Sequence, residues 1–377
     1  MSDAKPATPE ELAMLDLGPD GQLNMKTLFE HAAGIGASDL LITAGAAPIV
    51  RIDGQLYPVV EMALKPEQTK KLLGSLLNET QQEMFERKKE LDFSLAVTGK
   101  LRFRANIYYQ KGAIAGAFRL IRREIASLDE LGLPPIVSEM TLRANGLILV
   151  TGPTGCGKST TQAAMIDLIN QTRRCHIITV EDPIEFIHDS RMSVVDQREV
   201  YSDTLSFANA LKYVLREDPD VILVGEMRDM ETIAAALTAA ETGHLVIATL
   251  HTNDAVQSID RIVDVFPPHQ QHQIRVQLAF TLVGVISQLL LPGREVGRVL
   301  ATELLIRNNA IANHIREGKT HQTRSVMEAS RKEGMITMDA RLKELYEAGR
   351  IDFEVAVRHA LSPAYLGRGP GEAGNQR

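Results

Sequence analysis

The spacing of apolar positions changes character about a third of the way along the chain. Up to residue 123 the apolar runs are short and interrupted by glycine. Met25 to Gly34 has helical spacing, and S-D-L-L-I-T-A-G-A-A-P-I-V-R-I-D-G-Q-L-Y-P-V follows as short strands, with Asp53-Gly54 placed as a hairpin turn. A charged helix is predicted from about Lys65 to Lys89. The stretch L-R-F-R-A-N-I-Y then alternates, which puts Leu101, Phe103, Ala105 and Ile107 on one face of a strand. Arg102, Arg104, Asn106 and Tyr108 share the other face. A second strand, carrying Arg119, follows the turn at Gln110-Lys111-Gly112. These elements describe a small α+β domain over residues 22–123, preceded by a flexible lead-in over residues 1–21.

Residues 124–140, with L-D-E-L-G-L-P-P-I-V at their centre, read as a linker because of the glycine and paired prolines. Beyond them, apolar runs of four to six residues alternate with helical stretches. Strands are predicted at Leu147–Val150, His176–Val180, Val221–Val224 and Leu245–Leu250, and helices at Lys158–Asn170, Thr204–Leu215 and Glu231–Glu241. That alternation describes an α/β domain with a mostly parallel sheet covered on both faces, spanning residues 141–361. Its last part, to about Ala360, reads mainly as helices. Residues 362–377 end in G-R-G-P-G-E-A-G-N-Q-R and read as a disordered tail.

Charge adds an exclusion. With 41 Lys+Arg against 48 Asp+Glu the net charge is -7, which argues against a chain whose main task is wrapping nucleic acid. The two cysteines, Cys156 and Cys175, form neither a disulfide framework nor a CxxC pair, and suit a reducing compartment. No run approaches the roughly 18 apolar residues of a membrane span, and the N-terminus lacks an apolar signal core. A soluble, cytoplasmic protein is expected.

The chemistry begins at G-L-I-L-V-T-G-P-T-G-C-G-K-S-T-T. Gly152, Pro153, Thr154, Gly155, Cys156, Gly157, Lys158 and Ser159 match G-x-x-x-x-G-K-[ST], with Thr160 next. Glycines let successive backbone N–H groups turn toward phosphates, and a helix starting near Lys158 points its positive end at them. Lys158 is expected on the β/γ-phosphates of ATP, and Ser159 on Mg²⁺. The thiol of Cys156 stands as a candidate oxidation point.

Such a loop needs carboxylates at neighbouring strand ends. D-P-D-V-I-L-V-G-E-M-R-D places glycine where an aspartate usually ends the strand, so Glu226, after Gly225, is taken for the Mg²⁺ shell. V-E-D-P-I-E-F supplies Glu181, Asp182 and Glu185, of which Glu185 is the candidate for polarising the attacking water. His244 and His251 bracket a buried strand and point to opposite faces by period-two counting, so they cannot share one metal site. Each is a candidate γ-phosphate sensor or a structural histidine. From the residues alone Arg104 and Arg119 read first as a solvated strand face and second as transition-state arginines.

At these residues the chain resembles the secretion ATPase superfamily, and within it the type IV pilus retraction ATPase family. The resemblance covers about residues 25 to 360. It rests on S-D-L-L-I-T-A-G, R-F-R-A-N, A-F-R, the phosphate loop, V-E-D-P-I-E-F, V-D-Q-R-E-V, L-R-E-D-P-D-V-I-L-V-G-E-M-R-D-M-E-T and A-L-T-A-A-E-T-G-H-L-V-I-A-T-L-H-T. It implies a PAS-like N-terminal domain, a RecA-like P-loop ATPase domain with a helical C-terminal region, and a homohexameric ring. ATP hydrolysis with Mg²⁺ would drive pilin removal at the fibre base. The implied place is the cytoplasmic side of the inner membrane, against a pilus platform protein, with a paralogous retraction ATPase as a further partner and no nucleic acid. The resemblance assigns Lys158 and Ser159 to phosphate and Mg²⁺, Glu226 to Walker B, Glu185 to the Asp box, Arg104 and Arg119 to the γ-phosphate, and His244 and His251 to the His box.

Two positions depart from the pattern. Cys156 replaces the usual serine, and Ala310-Ile-Ala-Asn-His-Ile-Arg-Glu317 resembles A-I-R-N-L-I-R-E with Ala312 and His314 in place of arginine and leucine. Alternative readings are a pilus-assembly or type II secretion ATPase, a nucleic-acid translocase on a RecA-like core, and a non-hydrolysing partner of another motor. The first usually carries a longer N-terminal region and a four-cysteine zinc site, and this chain has two cysteines.

Overall fold

A computed structural model describes residues 13–15, 23–52, 54–98, 101–121, 124–295 and 297–367. Most of the expected lead-in, Asp53 of the expected hairpin turn and the tail beyond residue 367 lie outside the described residues. The chain forms two compact units that divide after residue 122.

The first unit opens with α1 (Met25–Gly34), started by Asn24, whose side chain accepts from the Thr27 amide at 2.9 Å. Met25, Leu28, Phe29 and Ala32 recur at helical spacing and are buried. The strands β1 (Asp39–Ile42), β2 (Ile49–Ile52), β3 (Gln55–Pro58), β4 (Glu90–Thr98), β5 (Leu101–Gln110) and β6 (Ala113–Leu120) form an antiparallel sheet in the order β3-β2-β1-β6-β5-β4. Phe29 meets Phe103 and Phe118 with ring centroids 4.4 and 5.1 Å away, which centres the core on one sheet face. Lys111 and Gly112 connect β5 to β6 at φ 49° and 79°, the positive values that a two-residue hairpin requires. The single charged helix expected over Lys65–Lys89 is two helices, α2 (Pro66–Gly74) and α3 (Glu79–Lys88). Asn78 stops the run by capping: its side chain accepts from the Gln81 amide while Gln81 accepts from the Asn78 amide.

The second unit holds a seven-stranded sheet made of β7 (Gly146–Thr151), β8 (His176–Glu181), β9 (Val194–Glu199), β10 (Val221–Val224), β11 (Leu245–Leu250), β12 (Leu282–Pro292) and β13 (Arg298–Ile306). The order is β13-β12-β7-β11-β10-β8-β9, parallel throughout except for β12 against β13. Every residue of β7, β10 and β11 is buried, as a sheet covered on both faces demands. The connecting helices are α4 (Pro135–Thr141), α5 (Lys158–Thr172), α6 (Phe207–Val214), α7 (Met230–Glu241), α8 (Ala255–Asp264) and α9 (Pro268–Thr281). Residues 124–140, expected as a linker, are packed into this unit: Leu128, Leu133, Val137 and Met140 lie in one core with Ile148 and Val150.

The last part is not mainly helical from its start. β12 and β13 form a long antiparallel pair that extends the sheet before α10 (Asn309–Glu317), α11 (Thr323–Ala329), α12 (Met338–Glu347) and α13 (Phe353–His359). Gly284 marks the reason. A Cβ there would stand 2.5 Å from the Leu305 carbonyl oxygen, so the glycine serves close strand approach.

Candidate active site

Strand direction gathers the site. β7, β8, β10 and β11 run parallel, so the residues after their C-terminal ends share one edge of the sheet. The phosphate loop follows β7, Glu185 follows β8, Glu226 follows β10, and His251 follows β11. His244 precedes β11 and therefore lies at the opposite edge. There its Nδ1 is 2.9 Å from the Ala239 carbonyl and 3.2 Å from the Thr242 hydroxyl, where it closes the end of α7.

The loop itself is built for close backbone approach. Gly152, Gly155 and Gly157 have φ of 140°, 81° and 95°, values that side chains with a Cβ avoid. At Gly152 space is also short: a Cβ would sit 2.4 Å from the Gln288 carbonyl oxygen and 2.7 Å from the Cys156 sulfur. Pro153, Thr154 and Gly155 are exposed at the loop's crest. Lys158 begins α5 and is nearly buried, with Nζ donating to the carbonyls of Gly152 at 2.8 Å and Pro153 at 3.1 Å. Ser159 and Thr160 follow in the first turn and are half-buried.

Cys156 does not fit the role of an oxidation point. Its thiol is buried beneath Gly152 with 3% of the residue exposed, and burial raises its pKa despite the nearby Lys158. A thiol that is both inaccessible and protonated is a poor nucleophile.

Glu226 sits at a charged junction. Its carboxylate accepts from Arg228 Nε and lies 3.0 Å from His251 Nε2. Burial alone would raise its pKa, but the hydrogen bond from Arg228 and the charges of His251 and Arg228 outweigh burial and hold it below the ordinary value. Arg228, two residues on in G-E-M-R-D, was not singled out from sequence. Gly225 stands where an aspartate was expected for a steric reason: a Cβ there would meet the Val180 carbonyl oxygen at 3.2 Å and the Glu181 Cα at 3.3 Å.

Glu181 ends β8 with its carboxyl enclosed. Burial pushes its pKa up to about 7, and the charge of Glu185 adds to that, while Thr179 (2.6 Å) and Gln197 (3.2 Å) donate to it and oppose the rise. Glu185, four residues on, is exposed.

Beneath the loop runs a chain of buried hydroxyls. Thr151 lies 2.8 Å from Ser287 and 3.4 Å from Ser258, and Ser258 lies 2.6 Å from Thr252, the neighbour of His251. Gln288 donates to Thr161 of α5 at 2.7 Å. No motif pointed to these residues, because the contacts join positions more than 100 apart in sequence for Thr151, Ser258 and Ser287.

In the first unit, Arg104 and Arg119 stand directly opposite each other on β5 and β6. Like charges in that position are destabilising. Arg119 is offset by Asp39, at 2.9 Å from its Nε, and Asp39 also faces Arg51 at 3.6 Å. Arg51 and Arg119 share the Asp39 carboxylate along a row of the sheet that also carries Arg104, and both Arg104 and Arg119 are exposed. In α10, Ala312 of the altered block is buried in the core.

Among the described residues no cluster of three or more metal-binding side chains occurs, and no helix is long and apolar enough to cross a membrane.

Comparison with known proteins gives the chain its relatives. The family described as type II/IV secretion system protein matches residues 16–358. The type IV pilus retractation ATPase PilT of Pseudomonas aeruginosa is 46% identical over 90% of this chain and 99% of its own. A twitching motility protein of Neisseria gonorrhoeae is 47% identical over 84% of this chain and 85% of its own. A crystal structure of the pilus retraction motor PilT with bound ADP superposes with a TM-score of 0.85 at 51% identity, covering 92% of this chain and 99% of that one. By sequence and fold, the chain belongs to the type II/IV secretion system protein family.

Proposed function

We propose that this chain is a motor ATPase that couples ATP hydrolysis to type IV pilus retraction. The observation that carries the reading is the convergence of the phosphate loop, Glu185, Glu226 and His251 on one sheet edge, in a chain similar over nearly its whole length to proteins named for pilus retraction.

In the proposed reaction, the loop amides and Lys158 hold the phosphates of ATP, and Lys158 leaves its two carbonyl partners to do so. The Ser159 hydroxyl and the Glu226 carboxylate are hard oxygen donors of the kind Mg²⁺ takes alongside nucleotide phosphates, and among the described residues no group of three or more metal-binding side chains is there to cage the ion alone. Bound there, Mg²⁺ would neutralise charge on the β- and γ-phosphate oxygens. Glu185 polarises the attacking water. His251 reports on the γ-phosphate through its contact with Glu226. Arg104 and Arg119, from the same chain or a neighbouring chain of the ring, are the candidates to offset the charge that develops on the transferred phosphoryl group.

The working assembly is a homohexameric ring, on the cytoplasmic side of the inner membrane against a pilus platform protein. A pilus-assembly or type II secretion role is disfavoured by the two free cysteines, which cannot build the four-cysteine zinc site usual there. ATP turnover by purified protein tests the proposal. Lys158→Ala should lose nucleotide affinity and rate together, and Glu226→Gln should keep binding while losing turnover. Parental turnover in both variants would refute it.

A further inference from the structure

Glu303, in the middle of β13, is 2% exposed, and its carboxylate bridges two helix starts. Oε1 accepts the Ala255 amide of α8 at 2.8 Å, and Oε2 accepts the Met338 amide of α12 at 3.0 Å. Arg324 of α11 is the nearest countercharge, at 3.9 Å. Neither helix needs Glu303 to begin. Asp254 caps α8 through the Gln257 amide, and Thr337 caps α12 through the Ala340 amide. A buried carboxylate is costly, and a well-packed apolar residue would serve stability as well. Its particular effect is to tie the two helices to each other.

The tie begins at the candidate active site. Only Thr252, Asn253 and Asp254 separate His251 from Ala255. Glu303 pairs with Ser287 across the β12–β13 ladder, and Ser287 pairs with Thr151, the residue that leads into the phosphate loop. Ser258 of α8 donates to the Asp254 carbonyl at 2.7 Å, and its hydroxyl lies 3.4 Å from that of Thr151. On the other side, residues 336–338 are held to β13 by a bridge between Leu304 and Ile336, with N–H···O distances of 2.8 and 3.1 Å.

We propose that Glu303 is a positioning residue that holds the His251 loop against Glu226 and passes the state of that loop to the C-terminal helices α11 and α12. This rests on the ATPase reading above. Movement of His251 on nucleotide binding or hydrolysis would shift the start of α8. The shared carboxylate would then carry the shift to the start of α12, because its two oxygens cannot move apart.

The test compares Glu303→Gln, His251→Ala and the double variant in the full chain. Glutamine keeps the volume but replaces one accepting oxygen with an NH₂ that cannot accept an amide. A misplacement of about 1 Å in a catalytic arrangement can cost about a hundredfold, so Glu303→Gln should lower kcat about tenfold or more. Nucleotide affinity should stay within about twofold, since the phosphate loop is untouched. In the His251→Ala background the same substitution should cost less than about twofold, because the group it positions is already gone. A merely structural glutamate predicts that the two kcat losses multiply; that result overturns the proposal. A parent that turns over no ATP overturns the ATPase reading and this role with it.

Hydrogen exchange supplies a measurement that needs no variant. Adding a non-hydrolysable ATP analogue with Mg²⁺ to the parent should change exchange over residues 252–257 and 336–340 together. A response in the first segment with none in the second would also overturn the proposal, and this arm decides the matter if Glu303→Gln does not fold.

Discussion

Replacing Glu181 with glutamine isolates the cost of keeping a carboxyl in the enclosed end of β8. Its pKa rises from the ordinary 4.5 to about 7 in the folded chain, first through burial. The sign follows from proton binding. Between pH 4.5 and 7 the folded chain holds a proton at Glu181 that the unfolded chain has released, so stability from this group falls as pH rises. Each pKa unit corresponds to about 1.4 kcal/mol, which makes the full loss about 3 kcal/mol once pH exceeds 7. Glutamine cannot ionise, and its amide oxygen can still accept from Thr179 and Gln197. Glu181→Gln should therefore be close to the parent at pH 5 and more stable than it at pH 8, by up to about 3 kcal/mol. The chain has no tryptophan, so urea unfolding followed by far-UV circular dichroism at both pH values is the assay. A variant no more stable than the parent at pH 8 would refute the argument.

Arg104→Ala and Arg119→Ala should bind nucleotide at near-parental affinity and hydrolyse it at least about a hundredfold more slowly, within the range known for transition-state arginines; parental turnover in both would return them to a solvated strand face. Cys156→Ser should keep turnover within about threefold, which is under about 1 kcal/mol of activation free energy. Because the thiol is buried, a bulky thiol reagent should label folded Cys156 far more slowly than denatured chain, and rapid labelling of the native protein would contradict its placement. Gly225→Asp, which restores the aspartate more usual at the strand end, should lower both stability and turnover, since its Cβ meets backbone atoms at 3.2 and 3.3 Å; a fully active, equally stable variant would show that β8 and β10 can part at no cost.

The parallel core of the second unit was legible because its strands are short, wholly apolar and bounded by turn residues. Val221–Val224 and Leu245–Leu250 stand where the pattern put them. The phosphate loop and Glu226 were legible from spacing alone. The β12–β13 pair was not, because L-V-G-V-I-S-Q-L-L-L-P is buried on both faces and shows no alternation to separate strand from helix. Gly284 was the available signal, a glycine inside an apolar run that marks backbone approach. His244 and His251 occupy one motif, and only the direction of β11 separates the site from the far edge. Glu303 was hidden for another reason. Its partners Ala255 and Met338 lie 48 and 35 residues away, and nothing local distinguishes a carboxylate that joins two helix starts.

The central claim is that ATP hydrolysis at the β7 loop drives retraction of type IV pili. The most direct test is to image labelled pili on living cells of a strain deleted for this chain and complemented in turn with the parent and with Glu226→Gln. The account predicts that fibres extend but fail to shorten in the deletion strain, that the parent restores shortening, and that Glu226→Gln does not. Normal shortening in the deletion strain, or restoration by Glu226→Gln, would contradict it.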